Sequence, residues 1–78
     1  MSRLRVEFLV EPFNEGEPGL HVQAAVGEFE ARGLVVEIGP FGNTADGPAD
    51  NILDALRAGL EAAVAAGASR VNVNLTHG

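Results

Sequence analysis

A chain of 78 residues holds one domain, since a second compact unit needs about fifty more residues for its own core, and it contains no cysteine, which excludes disulfides, Cys-ligated zinc and thiol chemistry together. Eleven acidic against five basic residues give a net charge of −6, which opposes phosphate backbones, argues against nucleic acid and favours cationic or neutral small partners. Two histidines, His21 and His77, are too few for a structural metal site, and no apolar run has the length of a leader or a bilayer span, so no membrane association and a cytoplasmic location are expected.

From Arg5 to Glu11 the residues alternate, with Val6, Phe8 and Val10 on one side and Arg5, Glu7, Leu9 and Glu11 on the other, the pattern of a half-buried strand. Pro12 ends that pairing, and the residues from Asn14 to Gly19 have the composition of a polar loop. Between Leu20 and Arg32, Val22, Ala25, Val26 and Phe29 recur at helical spacing, and Gly33 is placed to stop the helix. Leu34, Val36 and Ile38 then oppose Val35 and Glu37, predicting a second strand over Leu34 to Ile38.

Gly39, Pro40, Phe41 and Gly42 punctuate the chain, and Asn43 to Asp46 forms a short third strand that Gly47 and Pro48 break. The alanine-rich run from Ala49 to Ala66 is the longest helix, with Leu53, Leu56, Leu60, Ala63 and Val64 as its apolar stripe and Gly67 as its stop. Val71, Val73 and Leu75 alternate with Arg70, Asn72, Asn74 and Thr76 in a fourth strand. His21 reads as a surface residue near a helix start, and His77 as a mobile terminal one.

The order β-α-β-β-α-β, two right-handed units joined by a hairpin, predicts an α+β ferredoxin-like sandwich: a four-stranded antiparallel sheet with both helices on one face. The uncovered face then carries Arg5, Glu7, Leu9, Glu11, Val35, Glu37, Arg70, Asn72, Asn74 and Thr76. Solvated faces ordinarily intersperse Lys and Glu, whereas this one mixes three carboxylates, two carboxamides and two apolar residues. A ligand or subunit surface and a plain solvated face stand level on that pattern.

Four segments together resemble the thiamine-binding-protein family of small ferredoxin-like domains. They are Val6-Glu7-Phe8-Leu9-Val10-Glu11-Pro12-Phe13, the run from Gly33 to Asn43, Ala45-Asp46-Gly47, and the run from Glu61 to Val71. Phe41 stands where that family usually has Met, Asn43 where it has Thr, and Leu60 where a His often precedes the acid. The resemblance implies thiamine, or its hydroxymethylpyrimidine part, held by the sheet and neighbouring loops of an oligomeric protein, here a dimer or tetramer.

Thiamine joins a cationic thiazolium to an aminopyrimidine that both donates and accepts hydrogen bonds. Glu7, Glu11 or Glu37 suits the charge, Asn72 or Asn74 the pyrimidine edge, and Phe41 an aromatic stack, with Asn43 beside it on the hairpin. A non-catalytic binding module without a cofactor is therefore expected. Its rivals are a regulatory or structural homo-oligomer with no small ligand, and an acylphosphatase-like enzyme, which needs an anion cradle before the first helix where this chain has Glu15 and Glu17.

Overall fold

The computed structural model describes residues 2–12, 19–39 and 42–77. Six elements follow in the order β1 (Arg3–Glu11), α1 (Leu20–Glu30), β2 (Glu37–Gly39), β3 (Gly42–Pro48), α2 (Ala49–Ala65) and β4 (Arg70–His77). The strands form one antiparallel sheet in the order β2-β3-β1-β4, so the expected ferredoxin-like sandwich is the fold. The polar loop before α1 and the Phe41 turn lie outside the described residues, as Phe13 to Pro18, Pro40 and Phe41 do.

Alternation in β1 decides which side of the sheet is inside. Val6, Phe8 and Val10 are 2 % exposed or less, while Arg5 and Glu7, which alternate with them, are open to solvent. Phe8 stacks on Phe29 of α1 with ring centroids 5.0 Å apart, and Val22, Ala25 and Val26 complete the helical contribution from α1. Ile52, Ala55 and Ala63 of α2 are fully buried in the same cluster.

Departures from the sequence reading have physical causes. The second strand begins at Glu37 instead of Leu34, because the chain after α1 first closes the helix: Gly33 takes φ of 76°, its N–H donates to the Glu30 carbonyl at 3.0 Å, and the Leu34 N–H donates to the Phe29 carbonyl at 3.1 Å. Leu34 is thereby tied to the helix end and buried. The third strand runs on through Gly47 and Pro48, pairing them with Leu4 and Arg3; a side chain at Gly47 would come within 2.9 Å of Leu34, so the glycine makes room for packing and does not break the strand.

The core stripe of α2 is also rotated from the expected one. Ile52, Ala55, Gly59 and Ala63 face inward, while Leu53 and Val64 are 49 % and 64 % exposed. The cause is close approach to α1, where Gly59 lets Phe29 lie against the helix backbone. Arg32 then clamps the two helices, its Nε donating to Asp54 Oδ2 at 2.6 Å and its Nη1 to Glu28 Oε1 at 3.0 Å, and those two acceptors raise its pKa above the ordinary arginine value.

His21 is buried, and its Nε2 donates to the Pro12 carbonyl oxygen at 2.6 Å, so it fastens the end of β1 to the start of α1 where a surface residue was expected. His77 belongs to β4 and pairs with Leu4. Among the described residues no helix is long and apolar enough to cross a membrane.

Phe29→Ala should lower the unfolding free energy by about 3–5 kcal/mol, whereas Leu20→Ala, at the exposed start of the same helix, should cost under about 0.5 kcal/mol. Urea denaturation of the two variants checks the contrast.

Candidate functional site

The face opposite the helices is built by register. Glu7 pairs with Thr44 on one side and Asn74 on the other, and Thr44 pairs in turn with Glu37, so Glu37, Thr44, Glu7 and Asn74 form one row across all four strands. Adjacent strands are about 4.8 Å apart, which puts the backbones of Glu7 and Glu37 about 10 Å from each other with Thr44 between them. The next row holds Asp46, Arg5 and Thr76; on the other side lie Leu9 with Asn72, then Glu11 with Arg70.

Charge is distributed unevenly over these rows. Asp46 takes both Arg5, at 3.6 Å, and Arg3, at 3.8 Å. Glu11 takes Arg70 at 3.6 Å and accepts a hydrogen bond from Asn72 Nδ2 at 3.0 Å. Arg32 and Arg57, the remaining cations of the chain, pair with Asp54, Glu28 and Glu61 on the helices. Among the described residues Glu7 and Glu37 therefore have no cationic partner, and no further arginine or lysine exists in the chain to supply one.

Among the described residues, two shallow clefts adjoin the central row. One of about 270 Å³ is lined by Arg5, Leu34, Val35, Glu37, Thr44 and Asp46 among others, and gains an apolar wall where the α1–β2 connection passes over the sheet edge. The other, of about 240 Å³, is lined by Arg3, Leu4, Arg5, Asp46 and Thr76. They meet at the Arg5–Asp46 pair.

Of the residues singled out in the sequence, the structure brings Glu7, Glu37 and Asn74 into one row and joins Glu11 to Asn72 at the end of the same face. Asn43 lies on the other face: it is buried, and its Nδ2 donates to the Phe8 carbonyl at 3.2 Å. Phe41 lies outside the described residues. Thr44 and Asp46 were missed, although the alternation carried a signal, since an inward Ala45 sends both of its neighbours to the open face. Among the described residues no three His, Asp or Glu side chains are grouped to hold a metal ion.

Comparison with known proteins agrees with this architecture. Residues 6–77 match the family model described as thiamine-binding protein. Among solved structures, a domain of unknown function from Bacillus cereus is 25 % identical with a TM-score of 0.69, over 99 % of this chain and 76 % of that one. A hypothetical protein from Methanocaldococcus jannascii is 24 % identical with a TM-score of 0.71, over 100 % of this chain and 80 % of its own. A proposed thiamine biosynthesis or salvage protein from Thermotoga maritima is 20 % identical with a TM-score of 0.66, over 96 % and 81 % of the two chains. No curated protein is similar enough to count as a relative.

The two asparagine positions should separate cleanly. Asn43→Ala removes a buried amide and should cost about 1–2 kcal/mol of stability, while Asn74→Ala, exposed on the open face, should shift the melting point little. Thermal melts followed by circular dichroism check both.

Proposed function

We propose, from the premise that the chain belongs to the thiamine-binding-protein family, that it is a non-catalytic module whose open sheet face binds thiamine or its hydroxymethylpyrimidine part, working as a homo-oligomer. The observation that carries this reading is the row Glu37, Thr44, Glu7, Asn74, in which two carboxylates stand without a cationic partner among the described residues. A thiazolium offered to that row meets negative charge that has not been spent on an internal ion pair. The Asn74 carboxamide presents a donor and an acceptor together, as an aminopyrimidine edge requires, and the Thr44 hydroxyl serves either role. Val35, 80 % exposed at the cleft wall, supplies apolar contact for a ring.

Size supports an oligomer in the same reading. Pockets that bury small ligands commonly span about 300–1,000 Å³, and the two clefts beside the central row, among the described residues, fall below that range. A second copy would wall the open face and exclude water, strengthening each charge-assisted hydrogen bond. The acylphosphatase alternative fares worse on charge, since the anion cradle it needs before α1 falls where the sequence carries Glu15 and Glu17.

Isothermal titration with thiamine tests the reading. Glu37→Gln and Asn74→Ala should each weaken binding by about tenfold to a hundredfold, the equivalent of one charge-assisted or well-placed hydrogen bond of about 1.5–3 kcal/mol. Both variants should melt close to the parent. Undiminished affinity in both would move the site off this face, towards the segment between Pro12 and Gly19.

A further inference from the structure

We propose that the corner of the open face formed by Arg3, Arg5 and Thr76 is an anion subsite, and that it takes the phosphate of a ligand whose cationic ring lies on the Glu7–Glu37 row. The phosphate monoester of thiamine is then bound in preference to thiamine itself. The cationic half of this inference rests on the function proposed above, and the anionic half stands on the corner alone.

Register puts the corner beside the row. Arg5 pairs with Asp46 on β3 and with Thr76 on β4, so these three form the row next to Thr44, Glu7 and Asn74, and Arg3 lies two residues further along β1 on the same face. All four are exposed, and a cleft of about 240 Å³ opens among them.

Charge at this corner has the opposite sign from the middle of the face. Asp46 is shared by Arg3 at 3.8 Å and Arg5 at 3.6 Å, which leaves one positive charge over. Among the described residues no other carboxylate is shared by two arginines, and Arg32 instead holds two carboxylates. The donors are also unspent. Both separations exceed a hydrogen bond, and neither guanidinium nor the Thr76 hydroxyl has a side-chain hydrogen-bond partner among the described residues. Two guanidinium forks and a hydroxyl lining one cleft suit a phosphate monoester, whose three terminal oxygens accept hydrogen bonds and which carries about −1.5 to −2 charges at pH 7.

Spacing joins the two halves. Neighbouring rows on one face are two residues apart, about 6.8 Å along the strand. In the monophosphate of thiamine four single bonds separate the thiazolium ring from phosphorus, an extended reach of about 5 Å past the ring edge. A ring seated over Glu7 therefore delivers its phosphate to Arg5. Without the corner the same phosphate would be repelled, because Glu7 and Glu37 stand within about one Debye length, roughly 8 Å, of it on a chain of net charge −6.

Isothermal titration of the full chain with thiamine and with its monophosphate is the test. The parent should bind the monophosphate about tenfold more tightly, a preference that added salt should reduce. In the Arg3→Gln/Arg5→Gln double variant the order of the two ligands should reverse, while Arg57→Gln, on the exposed side of α2, should keep the parent's order. Both variants replace exposed side chains, and circular dichroism should show them folded. Thiamine bound as tightly as its monophosphate by the parent, or a preference that survives in the double variant, overturns the subsite and leaves the thiamine reading standing. If neither ligand binds, that reading and the paired site both fail, and methyl phosphate then reads the corner by itself: saturable amide shifts at Arg3, Arg5 and Thr76 support an anion site there, and their absence overturns it.

Discussion

The stack of Phe8 on Phe29 fixes the inside of this molecule, and with it everything the other face does. A strand has a side-chain period of two, so seating Phe8 against α1 sends Glu7 and Leu9 outward, and a slip of one residue would exchange the two sets. Because β1 pairs with both β3 and β4, its register carries to them. One aromatic contact in the core thereby places Thr44 and Asn74 on either side of Glu7.

What distinguishes the open face is electrostatic. Five arginines are the whole cationic complement of the chain, and each lies within 4.0 Å of a carboxylate. Surface pairs of this kind add about 0–1 kcal/mol each, so their larger consequence is positional. Arg3 and Arg5 are drawn to Asp46 and Arg70 to Glu11, at the margins of the central row, and the middle of the face keeps its negative charge. A cationic partner is the chemistry that this arrangement lacks.

The fold was legible in the sequence because its signals are local: alternation in β1 and β4, helical spacing in α1, and glycine after α1. Features that depend on packing between elements were not. Leu34 reads as strand by alternation, yet the hydrogen bonds that close α1 claim its backbone. Leu53 reads as core by helical periodicity, yet the closeness of Phe29 to Gly59 turns α2 so that Ile52 and Ala55 take the inside. Within the candidate site, Glu7, Glu37 and Asn74 followed from parity alone, while Asn43 was placed by resemblance and proved to bond the Phe8 carbonyl from the buried side. That Glu7 and Glu37 have no counter-ion among the described residues needed three-dimensional pairing to be seen at all.

The account rests on a small cation settling over the central row of the sheet, and amide chemical-shift mapping during a thiamine titration addresses it residue by residue. The largest shifts should fall on Glu7, Thr44, Glu37 and Asn74, four residues distant in sequence and joined only by strand pairing. Shifts confined to the helices, or no saturable shifts anywhere, would contradict it.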